Sequence, residues 1–288
     1  MSSRVKVKLS EDRDIPMLRF LWRWKVVTTR ALHAKFFASA SLPTAYQRLL
    51  RLEQAGVIKC VCDERAVEFH WTLAKKGFDA IRSKLSALRE EGFGVEHVRH
   101  DALVTALHLG EWMIERPEGV RLVSEQQLRR YTTASLPTWI PSPEIHRPDG
   151  YWGLPSGDKI VPVALEVELN QKSESVYQAV GDYYREEDSI PRVFWMVELE
   201  SQARSIQKQI AKSVSHRGDI HSFVVLTDFR KHQWSSPICC GPDRGKTFRE
   251  SLLQFVTTTP PNPPLNRSFR FRTQHLIDAR KSQAKIAA

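Results

Sequence analysis

The sequence predicts an α+β module over residues 1–92, a connecting helix over 93–118 and an α/β domain over 119–256. Three observations carry that reading. An order of three helices, a glycine, a hairpin and a last helix can be followed from residue 15 to residue 88. From residue 120 onward, short apolar runs alternate with amphipathic stretches, the pattern of a sheet covered by helices. A chain of 288 residues is also long enough to bury two cores.

Taken in order, residues 15–24 are apolar-rich and read as the first helix. Thr28 is placed to cap a second helix, in which Leu32, Phe36 and Phe37 fall at helical spacing. Ser41 caps a third, with Leu42 and Pro43 in the opening turn, where proline loses no hydrogen bond. Along that third helix Ala45, Leu49 and Leu52 form an apolar stripe widened by Tyr46, while Thr44, Gln47, Arg48 and Arg51 fall on the other side. Gly56 suits the position that ends a helix. Residues 57–62 and 66–72 read as two strands turned by Asp63, Glu64 and Arg65, and a final helix runs through Ile81, Leu85 and Leu88.

The run RLEQAGVIKCVCDERAVEFHWTLAKKG, residues 51–77, resembles the winged-helix signature of bacterial regulators. A helix with an apolar back and a face of Arg, Gln and Thr suits a major groove, because Arg bonds guanine edges or phosphates and Gln pairs with adenine. Thr44, Gln47, Arg48 and Arg51 are therefore expected to face double-stranded DNA, with Arg65 on the wing. Winged helices also serve as protein–protein modules. The charge tilts the choice: 43 Lys and Arg against 33 Asp and Glu leave a net +10, which draws polyanions.

No apolar run reaches the roughly 18 residues a membrane helix needs, and no apolar segment follows the basic N-terminus, so a cytoplasmic protein off the membrane is expected. Cys60 and Cys62 lie two apart, and Cys239 and Cys240 are adjacent. Neither pair has zinc-finger spacing, so they read first as reduced structural thiols, with a zinc site as the lesser alternative.

In the second part, a helix is expected over residues 95–112, with Leu103, Leu107 and Trp112 on its apolar face. His97 and His100 lie one turn apart and could share a ligand; without a third partner they read as a packed or solvent-facing pair. Residues 120–124 read as a strand, 125–130 as a helical turn and 131–143 as a Thr/Ser/Pro-rich loop. After a strand near Asp149, residues 161–169 (VPVALEVEL) form another, on which Glu166 and Glu168 share a face. A helix over 176–186, a buried strand over 193–197, a helix over 201–213 and a strand over 223–226 complete the alternation.

Pro148-Asp149 followed by Glu166-Val167-Glu168 resembles the PD-(D/E)XK nuclease pattern, and so a restriction-endonuclease-like domain. The resemblance implies Asp149 and Glu166 as metal ligands, with Glu168 beside them, and Mg²⁺ as the cofactor for phosphodiester hydrolysis. The nuclease lysine is replaced by Glu168. Lys172, one turn on, has the reach to take its catalytic place beside Asp149 and Glu166. Glu125 resembles an additional acid of some members, and Gln178, Tyr183 and Tyr184 their accessory polar residues. The fragment RPDG alone reads equally well as a turn.

The whole layout, from the winged-helix run to RPDG and ALEVELNQKS, resembles the replication-relaxation family of plasmid and mobile-element proteins over residues 15–230. It implies DNA binding in replication, mobilisation or transcriptional control, with a homodimer left open. A Mg²⁺-dependent DNA endonuclease is the alternative. Residues 257–288 are proline-punctuated and then basic, with six Lys and Arg against Asp278, and read as a flexible tail suited to phosphates.

Overall fold

The computed structural model describes residues 7–61, 69–109, 119–141, 146–211 and 219–256. The chain begins with α1 (Asp14–Trp24), whose Met17, Leu18, Leu21, Trp22 and Trp24 are buried. A two-residue strand β1 (Val27–Thr28) leads into α2 (Thr29–Phe36), and the Thr28 hydroxyl accepts from the Ala31 N–H as expected of a cap. Helix α3 (Leu42–Gln54) is capped by Ser41, which accepts from the Thr44 N–H, and buries Ala45, Leu49 and Leu52. Gly56 leaves the helix at φ +74°, a conformation that favours glycine. Strands β2 (Ile58–Val61) and β3 (His70–Leu73) follow, then α4 (Lys75–Ile81). The three strands form an antiparallel sheet in the order β1-β3-β2. Residues 62–68, and with them Cys62 and the expected turn through Arg65, lie outside the described residues.

The sequence continues α4 through Leu88, but the helix stops at Ile81 and tightens to a 3-10 turn over Arg82–Lys84. The reason is tertiary pairing. Leu88 bridges Tyr131, and the Arg89 and Thr132 N–H groups donate to the carbonyls of Arg130 and Ala87. Extended backbone there satisfies groups that a continued helix would turn elsewhere.

Helix α5 (Val98–Leu109) then leads toward a six-stranded sheet. Its first strand, β4 (Arg121–Ser124), runs into α6 (Glu125–Arg130) through a reciprocal Ser124–Gln127 capping box. Strands β5 (Gly150–Ser156) and β6 (Lys159–Glu168) make an antiparallel hairpin. Helix α7 (Glu174–Glu186) crosses to β7 (Val193–Val197), and α8 (Glu200–Ile210) crosses to β8 (His221–Val225). Strands β6, β7 and β8 are parallel, which needs such helical crossovers. Three elements after residue 226 have no counterpart in the sequence reading: α9 (Leu226–His232), the antiparallel edge strand β9 (Ile238–Cys240) and α10 (Phe248–Leu253). The sheet order is β4-β5-β6-β7-β8-β9.

Alternation along the strands gives this sheet two apolar faces. Tyr151, Ala164, Trp195 and Phe223 pack with Tyr177 and Tyr184 of α7 and with Ala203 and Ile206 of α8. On the other face, Trp152, Leu165, Phe194 and Val224 pack with Phe229, Trp234 and Phe248. That second core runs without a break into the residues under α1, α2 and α3. A polar tie crosses the same boundary: Ser124 Oγ donates to the Arg23 carbonyl at 2.8 Å. The helical part and the large sheet thus share one interior. Among the described residues no helix is long and apolar enough to cross a membrane, and Cys60, Cys239 and Cys240 are free thiols.

Candidate functional site

The first candidate surface is the outer side of α3. Its apolar stripe is fully buried, which turns Thr44, Gln47, Arg51 and Gln54 outward, all exposed. Gln54 was not in the expected set. Its spacing of seven residues from Gln47 and three from Arg51 places it on their face. Thr44 is turned outward with its hydroxyl 2.9 Å from Ser41 Oγ. On the flank, Phe69 is exposed and stacks on Tyr46, ring centroids 5.6 Å apart.

Arg48 corrects the sequence reading. Its guanidinium is half-buried and donates to the Asp14 carboxylate at the start of α1 and to the Lys8 carbonyl at 2.9 Å. Asp14 has no exposed surface and also accepts from the Ser10 N–H at 2.9 Å and from Arg13 Nε at 3.2 Å. A cation committed to a fully buried carboxylate ties α3 to α1; it does not stand free for a groove. Arg65, expected on the wing, lies outside the described residues.

The second candidate is a cluster of charges at the C-terminal end of β6, the end of parallel strands where ligands usually enter an open α/β sheet. Asp149 sits just before β5. Its N–H donates to the Leu165 carbonyl at 2.9 Å, and its Oδ2 accepts from the Val167 N–H at 2.7 Å. The carboxylate is thereby moored between Glu166 and Glu168, as strand pairing predicts. Its neighbour Gly150 admits no side chain, because a Cβ there would meet the His108 ring at 2.3 Å. That ring is fixed in turn by Trp152, whose Nε1–H donates to Nδ1 at 2.8 Å.

Each carboxylate has a partner. Asp149 Oδ1 lies 3.3 Å from His100 Nε2. Glu166 Oε1 takes Tyr184 Oη at 2.5 Å and His146 Nε2 at 2.7 Å, and the His146 ring packs against Tyr183 and Tyr184. Glu168 pairs with Lys172 Nζ at 2.9 Å. Lys172 therefore does reach back from its loop, and it lies in the field of Asp149 and Glu166 as well. Burial opposes its charge, but the three carboxylates raise its pKa. Burial also pushes the Glu168 carboxyl up. For His100 burial favours the neutral ring, yet Asp149 and Asp101 outweigh it and raise its pKa to about 10. Burial likewise works against the Asp149 charge, and His100 with the Val167 N–H overcomes it and lowers the pKa.

Sequence reasoning set His100 beside His97 and found it no ligand. His97 is exposed, while His100 continues into a longer chain of charges. Its Nδ1 lies 3.5 Å from Asp101 Oδ1, which is 3.1 Å from Lys25 Nζ, and that amine is 2.5 Å from Glu125 Oε2. Glu125, expected as an extra acid of the site, is thus the partner of Lys25. Of the expected accessory residues, Tyr184 joins the cluster, Tyr183 Oη is 3.3 Å from Tyr151 Oη, and Gln178 bonds Glu174 within α7.

The donor set can be tested against Mg²⁺, a hard cation that takes near-octahedral oxygen ligands. Among the described residues no group of three His, Cys, Asp or Glu side chains is arranged to hold a metal ion. Both Asp149 oxygens and Glu166 Oε1 are engaged by imidazoles, a backbone amide and a phenol, and Glu168 by Lys172. As arranged, these oxygens are held by protein partners rather than grouped about a shared cation position. No family model, curated protein or solved structure matches the chain.

Proposed function

We propose that this chain binds double-stranded DNA through α3, as the winged-helix half of a two-part protein serving replication, mobilisation or transcriptional control of a plasmid or mobile element. One observation carries the reading. Thr44, Gln47, Arg51 and Gln54 form an outward stripe on a capped helix whose opposite stripe is buried, beside a small antiparallel sheet. Such a stripe offers the amide and guanidinium groups that read base edges, and a net +10 supports the electrostatic part of binding. The nuclease-like half then acts in docking or oligomerisation.

The test is a gel-shift titration at fixed salt against a duplex selected from a random pool. Gln47→Ala with Arg51→Ala weakens binding about tenfold or more. Unchanged affinity sinks the proposal and leaves the protein–protein module as the better reading of the helix. The stoichiometry of the shifted species tells one copy from two.

One observation favours the second reading, a Mg²⁺-dependent endonuclease: Lys172 Nζ lies 2.9 Å from Glu168 Oε2, on the strand end where Asp149 holds the Val167 N–H. Incubation with supercoiled plasmid and Mg²⁺ or Mn²⁺ separates the two. Nicking that Asp149→Ala abolishes would establish the enzyme.

A further inference from the structure

Five acids gather between α1 and the end of β6: Glu125, Asp101, Asp149, Glu166 and Glu168. They come from α6, α5, the residue before β5, and β6, and the resemblance alone would hand three of them to a metal. The geometry distributes them otherwise. Glu125, Lys25, Asp101, His100 and Asp149 alternate in sign, each within 3.5 Å of the next. The chain ends on backbone, since Asp149 also holds the Val167 N–H of β6. At its other end Lys25, just after α1, adopts φ 59° and ψ −57°, a backbone region that a side-chain-bearing residue occupies only when its surroundings hold it there. Its side chain is 11% exposed, and the amine spans carboxylates on two other helices.

We propose that this row is a metal-independent clasp, in which His100 takes the place a cation would have on Asp149 and locks α1 and α5 onto the end of β6. The inference does not depend on the DNA reading. An unpaired carboxylate in such a setting is unfavourable, so each member of the row requires its neighbours. Glu166 is bonded separately by the Tyr184 hydroxyl and by His146, and Glu168 is ion-paired with Lys172, so each has a partner within the protein. Asp149, expected as a catalytic ligand, becomes a positioning residue for a helix more than a hundred residues earlier in the chain.

The experiment uses the full chain without DNA. The wild type is melted in millimolar Mg²⁺, in Mn²⁺ and in EDTA, and hydrogen exchange is followed in α1 and α5 for wild type, Asp149→Asn and His100→Gln. The clasp gives one wild-type Tm in all three buffers. In both variants the Tm falls by roughly 5 °C, and exchange quickens at the end of α1 as well as in α5. If Asp149→Asn does not fold, His100→Gln carries the exchange reading, and the metal series needs no variant. A wild-type Tm that rises with Mg²⁺ or Mn²⁺, by an amount either variant abolishes, overturns the proposal in favour of a cation site. Exchange in α1 that neither variant changes overturns it too.

Discussion

Asp14 shows how a single buried carboxylate decides what its neighbours can do. It has no exposed surface, and burial alone would push its pKa up; Arg48, the Ser10 N–H and Arg13 more than offset this and hold it below the usual carboxylate range. A group whose folded pKa is depressed stabilises the fold above its unfolded value, near 3.8, and loses that contribution as pH falls through the folded value. Arg48→Ala removes the main cation and is expected to lower stability by about 2 kcal/mol at pH 7, a figure below the full buried-pair range because Arg48 keeps some solvent contact. The loss should shrink as the pH falls below the unfolded value of 3.8 toward the lowered folded one, beneath which Asp14 carries no charge in either protein. Urea melts at pH 7 and in steps down to about pH 2 measure both effects; a loss that does not diminish in acid would refute the pairing. The pair also shows where sequence reading runs out at this scale. Arg48 lies on the polar side of α3 by helical spacing, and nothing local reveals that its partner is 34 residues away. His100 and Asp149, 49 residues apart, are the same case.

Elements whose signals are local are legible, and those made by distant contacts are not. Thr28 and Ser41 were readable as caps because a hydroxyl beside an apolar-periodic run has one economical use, and both bond the N–H three residues on. The parallel strands were readable because they are buried on both faces and so nearly continuous in apolar character. By contrast, β1 is two residues long and exists only because β3 pairs with it, and α4 ends where Leu88 finds Tyr131. Asp149 and Glu166 were legible as neighbours across a hairpin, but the histidines that claim them were not. The caps give a direct check at this scale. Thr28→Ala and Ser41→Ala should each lower stability by about 1 kcal/mol, and only Ser41→Ala should also weaken DNA binding, because it loosens the first turn of α3. Equal effects of both on affinity would show that the outer face of α3 is not the contact surface.

Across the whole molecule the charge is distributed unevenly, and that sets the form the proposed DNA binding would take. Residues 257–288 carry a net +5, half of the chain's +10, within 32 residues of its 288. The described part is nearer balance, and many of its cations are spoken for by Asp14, Glu168, Asp243, Glu198 and others. Nonspecific attraction to phosphates should therefore come largely from the tail, while discrimination between sequences should come from α3. The two contributions separate by salt. Each phosphate neutralised contributes a slope of about −0.9 to log K against log salt, so removing the six Lys and Arg of residues 257–288 should flatten the slope by up to about 5. Affinity for cognate and random duplexes should then fall together at low salt, and truncated and full chains should converge at high salt. Gln47→Ala with Arg51→Ala should instead reduce the ratio of cognate to random binding at every salt concentration, because base-edge contacts do not depend on counterion release. Filter binding across a salt series with both duplexes distinguishes the two effects. If truncation changes the cognate-to-random ratio and the α3 variant changes only the slope, the assignment of reading to the helix and attraction to the tail is reversed.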